Sequence, residues 1–225
     1  MFSVQKIGGI AAVVQAVAYI VGFVVMATLL NPGDTEGWTS AQKLSFVLER
    51  KYIFQVWTIF IYVVFGIALV FLTVALREGL QGSSLDLMKL ATPFGLIWAG
   101  LVIASGMVGT VGLEAVAALH AQDAAQATSA WFTINAVQDG LGGGVEIVGG
   151  VWVLLISAAS FRSSVLPRAL SYLGLVIGVT GILTVVPSLG DLGAIFGLGQ
   201  IVWFAWLGIL MLRGPAGLDR WASQA

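Results

Sequence analysis

From Ile7 to Leu30 the chain runs without one charged side chain, and the run stops abruptly at Asn31-Pro32-Gly33-Asp34. About 20 apolar residues in helical form cross the hydrocarbon core of a bilayer, so this segment is long enough to span it. It is longer than the apolar core of a secretion signal, and no small-x-small cleavage site precedes Asn31, so it reads as a retained anchor. Further apolar runs occupy residues 52–76, 90–119, 140–161, 170–187 and 192–212. The composition agrees, with 59% hydrophobic and only 9% charged residues. A soluble domain of this size keeps too many residues near water to hide so much apolar surface. The sequence therefore predicts an all-α polytopic membrane protein, a single domain of six transmembrane helices whose first partner is lipid.

Lysine and arginine set the expected orientation, because positive residues close to the spans stay cytoplasmic. Lys6, Arg77, Lys89, Arg162, Arg168, Arg213 and Arg220 fall on one side of a six-helix bundle, and Lys43, Arg50 and Lys51 on the other. This places both termini in the cytoplasm. A net charge of −1 with no clustered basic face excludes nucleic acid as a partner.

Two outer loops are long enough to fold. In the first, Thr39 and Gln42 have capping-box spacing ahead of Leu44, Phe46, Val47 and Leu48, which predicts a short amphipathic helix on the membrane surface. The third loop, Ala121 to Gln138, is rich in Ala and Gln. It carries Trp131 and Phe132 as interfacial anchors, and a second such helix is expected there. Either loop is placed to cap the outer end of the bundle.

Ionisable residues inside a span are costly, about 2.5–3.5 kcal/mol on insertion scales, and each is a functional candidate. Here they are Glu114 and Glu146. A fourth helix beginning near Gly140 puts both in the outer half, where antiparallel neighbours bring the carboxyls together. Asn135, Asp139 and Glu146 share one helix face at i, i+4 and i+11, and His120, the one histidine, lies beyond Glu114. The candidate binding site is thus an outward acidic cluster of Glu114, His120, Asn135, Asp139 and Glu146, with Gln138 as a further hydrogen-bonding member. Two close carboxyls in a low dielectric do not both ionise easily, which suits proton exchange, cation capture or binding of an amine. The plainer reading leaves Glu114 hydrated at the headgroups and Glu146 bonded to a neighbouring helix.

The other polar residues of the spans, Gln15, Gln55 and Gln200, either line a cavity or bond between helices. Gly193-xxx-Gly197, Gly174-xxx-Gly178 and the Gly106, Gly109, Gly112 series predict close helix contacts. The run Gly142–Gly144 serves close packing, or else unwinds the helix as at transporter binding sites. Trp152, Trp203, Trp206 and Phe204 fall within spans. Trp38, Trp57, Trp98, Trp131 and Trp221 are expected in the aromatic belts.

Several chemistries are excluded. With no cysteine, disulfides, iron–sulfur clusters, thiolate catalysis and covalent haem are absent. No lysine lies deep in a span for retinal, and one histidine is too few for a bis-histidine haem. The chain has no HExxH, GxSxG or GxxxxGK[ST] sequence. A zinc or di-iron centre would have to be assembled from Glu114, His120, Asp139 and Glu146, which carry no ligand-spacing signature. The patterns do not support an enzyme, and no cofactor is expected beyond a bound lipid.

The connection Ser163-Ser164-Val165-Leu166-Pro167-Arg168-Ala169-Leu170-Ser171-Tyr172-Leu173-Gly174 is a short basic turn with Leu-Pro-Arg leading into a glycine-rich helix. Together with Ile7-Gly8-Gly9-Ile10 before a span containing Tyr19, it resembles an uncharacterised bacterial family of small polytopic membrane proteins, domain of unknown function 4386. The resemblance implies six helices in a bacterial inner membrane and brings no catalytic residues. Two classes of function follow as expectations. One is an accessory or scaffold subunit of a larger membrane complex, or a binder of a lipid-like molecule. The other is a proton- or cation-coupled transporter or sensor using Glu114 and Glu146.

Overall fold

A computed structural model describes residues 3–143, 146–163 and 165–213. The expectations for Gly144, Ser164, Arg220 and Trp221 fall outside those residues. Among the described residues the chain is helical throughout, with no strand.

The first helix, α1 (Val4–Ala27), is opened by Ser3, whose side chain accepts a hydrogen bond from the Lys6 N–H. In the loop that follows, α2 (Ser40–Glu49) begins with the expected capping box. Thr39 accepts from the Gln42 N–H at 3.3 Å, and the Gln42 side chain accepts from the Thr39 N–H at 2.8 Å. Next comes α3 (Lys51–Gly82), which is α-helical to Thr58, widens into a π-helical stretch over Ile59–Val64, and resumes at Phe65. It meets α4 (Ser84–His120) at a kink where Ser84 leaves helical backbone angles, and the Ser84 hydroxyl donates to the Ala159 carbonyl at 3.0 Å. Pro93 lies well inside α4.

The third loop differs from expectation. The segment α5 (Ala124–Gln138), capped by Asp123, is no surface helix. It runs back along α4, with Ile134 against Gly112 and Gln138 against Gly109. It is the first part of one segment long and apolar enough to cross a membrane, Ala124–Ser163, which also holds a π-helical turn at Asp139–Gly143 and α6 (Ile147–Ser163). The polar look of α5 is deceptive. The hydroxyls of Thr128, Ser129 and Thr133 all donate to carbonyls one turn back, at 2.8–3.3 Å, so the helix hides its own polar groups. The chain ends in α7 (Arg168–Leu183) and α8 (Leu192–Arg213).

Five of these segments are long and apolar enough to cross a membrane: Val4–Ala27, Lys51–Gly82, Ser84–His120, Ala124–Ser163 and Leu192–Arg213. The helix α7 is apolar but has 16 residues, short of that length. The surface is that of a multi-pass membrane protein. Ile20, Val24, Phe71, Ile97, Val176 and Val202 all point outward, a coat suited to lipid and not to water.

Apolar burial gives little reason for helices to associate in hydrocarbon, so close backbone approach must supply the contact. A side-chain carbon on Gly150 of α6 would stand 2.7 Å from the Gly178 carbonyl oxygen and 2.7 Å from the Ile182 nitrogen of α7. On Gly208 of α8 it would stand 3.0 Å from the Gly9 oxygen of α1. The predicted Gly174-xxx-Gly178 face is thus a real contact, against Ser157 and Leu154 of α6. Gly193 is not one, since an added carbon there meets only Thr184, at 4.0 Å. Gly150→Ala should lower stability by about 1–3 kcal/mol through overpacking against rigid backbone. Gly100→Ala, whose added methyl meets nothing within 4 Å, should gain about 0.5–1 kcal/mol from helix propensity. Unfolding midpoints of the two variants in one detergent check both signs.

Candidate functional site

The expected acidic cluster divides into separate places. Glu114, exposed near the end of α4, is claimed by α3. Lys51 Nζ lies 2.9 Å from Glu114 Oε2 and donates to Oε1 at 3.0 Å, and Gln55 Nε2 donates to Oε2 at 3.1 Å. His120 closes α4, half-buried. Asn135 is half-buried on α5, and Asp139 is exposed at the first residue of the π-helical turn. Gln138 packs on Gly109, and its carbonyl accepts from Ser105 Oγ at 3.1 Å.

Glu146 lies deeper in the bundle. The passage enters at Ala124 and not at Gly140, and by Gly142 it has reached Val102 of α4, 3.6 Å from where a Cβ would stand. Val102 is roughly 18 Å of helix away from Glu114 at about 1.5 Å per residue. The convergence of the two carboxyls, and the shared face of Asn135, Asp139 and Glu146, both assumed an unbroken helix. The π-helical turn and Gly142, at φ 116°, shift the register between them. That backbone angle is one that glycine adopts freely and other residues resist. Among the described residues no three His, Cys, Asp or Glu side chains are grouped to hold a metal.

Glu146 stands at the head of α6. Its carbonyl accepts from the Gly150 N–H at 2.8 Å, and its own N–H donates to Thr184 Oγ1 of α7 at 2.8 Å. An acid in this position commonly caps the turn it precedes. Here the carboxylate makes no hydrogen bond or ion pair among the described residues and instead lines a cavity of about 270 Å³. Glu146 is the one acidic or basic residue among the lining residues described. The remaining wall comes from Tyr19, Gly22, Phe23 and Met26 of α1, Trp57, Ile61, Tyr62 and Phe65 of α3, Trp98 and Val102 of α4, and Gly193, Phe196 and Gly197 of α8. Both π-helical stretches border it, through Ile61, Tyr62 and Gly142.

The aromatic wall is braced from behind. Tyr19 packs edge-on to Phe65 at 5.4 Å, Phe65 on Trp98 at 5.5 Å, and Trp98 on Trp152 at 5.6 Å, with Trp203 and Phe204 continuing the cluster. Trp57 is fixed by its indole N–H, which donates to the Gly22 carbonyl at 3.1 Å. Trp57 and Trp98 were expected in the interfacial belts. Trp98 is instead 2% exposed, in the heart of the bundle. Neither it nor Tyr19 and Tyr62 stood out in the sequence, where aromatics in apolar runs look alike. Of the three span glutamines, Gln55 bonds between helices. Gln15 and Gln200 are fully buried, line no part of this cavity, and have no partner among the described residues.

The fold and this cavity can be set beside known proteins. A family described as domain of unknown function (DUF4386) matches residues 7–212, nearly the whole chain. The protein belongs to that family, and it is an integral membrane protein built from apolar helices. No curated protein and no solved structure matches it.

The separation of the two acids is directly testable, because the chain has no native cysteine. The pair Gly112→Cys with Ile134→Cys, where α4 and α5 touch, should cross-link under mild oxidant in membranes. The pair Glu114→Cys with Glu146→Cys should not, as read by mobility on non-reducing gels.

Proposed function

We propose that the protein is a non-enzymatic, six-pass binder of a lipid-like small molecule in the bacterial inner membrane. The observation that carries this reading is the cavity, which is bordered by α1, α3, α4, α8 and the turn before α6, walled mostly by apolar and aromatic side chains, and given a single carboxyl group. Small-molecule sites have this composition, mostly hydrophobic with a few placed polar groups. A second reading is favoured by the break before Glu146. Interrupted helices mark the substrate sites of many transporters, so coupling of Glu146 to protons or cations is the alternative. Glu114 takes no part in either, because Lys51 and Gln55 already satisfy it. An accessory role in a larger complex rests only on the lipid-facing coat, which any membrane protein has.

Six passes follow if α7 and the turn that continues it to Leu189 make the fifth. An even number puts both termini on one side, with Lys6, Arg77, Lys89, Arg162, Arg168 and Arg213. Two of the three contrary charges are matched locally, Arg50 by Glu49 at 3.3 Å and Lys51 by Glu114. The rule counts Lys and Arg and gives neighbouring acids little weight, so all three stand against this orientation, and six against three favours a cytoplasmic location for the larger group. Single cysteines report this orientation. Gln122→Cys should react with a membrane-impermeant maleimide in intact cells, and Arg162→Cys only after lysis.

The cavity itself is tested by filling it. Gly193 lines it with open space around its α-carbon, so Gly193→Leu should fit the fold while occupying the volume. Native mass spectrometry should find a small molecule or lipid retained by the wild-type protein at least fivefold more than by the variant. Equal retention by two proteins of equal thermal stability would reject the binding reading.

A further inference from the structure

We infer that the ligand of this cavity carries an organic ammonium group, seated against the Glu146 carboxylate and enclosed by Tyr19, Tyr62 and Trp98. The inference rests on the binding reading above and adds the chemical class of the ligand.

An acid that a membrane fold keeps for structural reasons is normally paired, and this chain does so at Glu114 with Lys51 and Gln55. Glu146 has no such partner among the described residues, although it heads a helix whose first N–H groups lie within reach of an acid so placed. A carboxylate removed from water is strongly disfavoured until a proton or a counter-charge neutralises it. The cavity that Glu146 lines is a side from which a counter-charge can reach it.

The walls decide which cation. A hard metal ion such as calcium needs about 6–8 oxygen ligands to replace its water. Among its side chains the lining offers oxygen only from a carboxyl and two phenol hydroxyls; the others are aliphatic, aromatic or the Met26 thioether. A sodium or calcium ion would lose more hydration than these groups return. An alkylated ammonium is weakly hydrated and larger, and it is attracted to aromatic rings as well as to the carboxylate. Aromatic enclosures for quaternary ammonium groups work in this way. Tyr19 and Trp98 are held by ring packing on Phe65, so the enclosure is set before a ligand enters.

The test uses the purified full chain in nanodiscs and two probes of one shape. Benzyltrimethylammonium carries the charge, and neopentylbenzene is its neutral carbon isostere. Tryptophan fluorescence reads both, because Trp57 and Trp98 line the cavity. The wild-type protein should bind the cation at least tenfold more tightly than the isostere. Glu146→Gln should weaken the cation tenfold or more and leave the isostere within twofold. Tyr62→Leu keeps the carboxylate, and it should weaken the cation at least threefold more than the isostere. Comparison of phosphatidylcholine with phosphatidylglycerol nanodiscs, taken as the ratio of wild type to Glu146→Gln, separates two sources of the ammonium group. A ratio that falls in phosphatidylcholine assigns it to a lipid headgroup, and an unchanged ratio to a free compound; either supports the inference. Equal binding of cation and isostere, or a cation affinity indifferent to Glu146→Gln, overturns the ammonium assignment and leaves the cavity a neutral binding site. No saturable binding of either probe overturns the assignment and the binding reading together.

Discussion

The fold turns on a hydrogen bond between two helices, from the Glu146 N–H to the Thr184 hydroxyl at 2.8 Å. In hydrocarbon no water is available to satisfy a peptide group, so a chain that interrupts its helix must find partners within the protein. Thr184 meets this need from α7, accepting from Glu146 while donating to its own Gly181 carbonyl at 2.7 Å. It can do so only because α6 and α7 lie nearly in backbone contact, Gly150 against Gly178 and Gly181. The glycines are thus more than spacers. They bring a hydroxyl to the point where α6 has to begin, and that point fixes where Glu146 stands.

The two intramembrane acids show how environment divides identical chemistry. Glu114 lies near the end of its helix, exposed, with a lysine and a glutamine from α3 on its oxygens. It ties α3 to α4 beside the small cluster in which Leu44, Val116 and Ala127 join α2, α4 and α5. An ion pair in so wet a place adds little to stability. Glu146 lies among aromatic rings with no such tie. Any interaction it makes there works in a lower dielectric and carries more energy than the same interaction at the surface.

Much of this was legible in the sequence, and the parts that were not have physical causes. The spans could be read because lipid imposes length and apolarity on them. The capping box of α2 could be read because its chemistry is local, confined to Thr39 and Gln42. The contact at Gly174 and Gly178 could be read because small residues one turn apart have few other uses in a span. The path of α5 could not, because hydropathy counts Thr128, Ser129 and Thr133 as polar while their hydroxyls are spent inside the helix. The acidic cluster failed for a different reason. Helical periodicity carries a side chain's direction only through unbroken helix, and the register slips between Asp139 and Glu146. Nor could the depth of Trp98 be read, because its neighbours in space, Phe65, Trp152 and Phe196, are remote in sequence.

That the cavity exists at all follows from how α1 and α8 are packed along their length. At one end the backbones close on each other, with Gly8 and Gly9 beneath Met211 and Leu212, and Gly208 against Gly9 and Val13. At the other end the small residue is Gly197, and what it meets is Phe23 and Tyr19, rings that reach across from α1. Gly193, one turn further, meets almost nothing. The two helices are pinned by glycine at one end and propped by aromatics at the other, and the opening is filled from neither side. On the third side α3 widens by a π-helical stretch at Ile59–Val64, which moves Ile61 and Tyr62 out of the register that a regular helix would give them. Each of these departures from regular packing forgoes contact that a purely structural bundle would keep. All of them border the same space, and the Glu146 carboxyl, without a partner among the described residues, lines it.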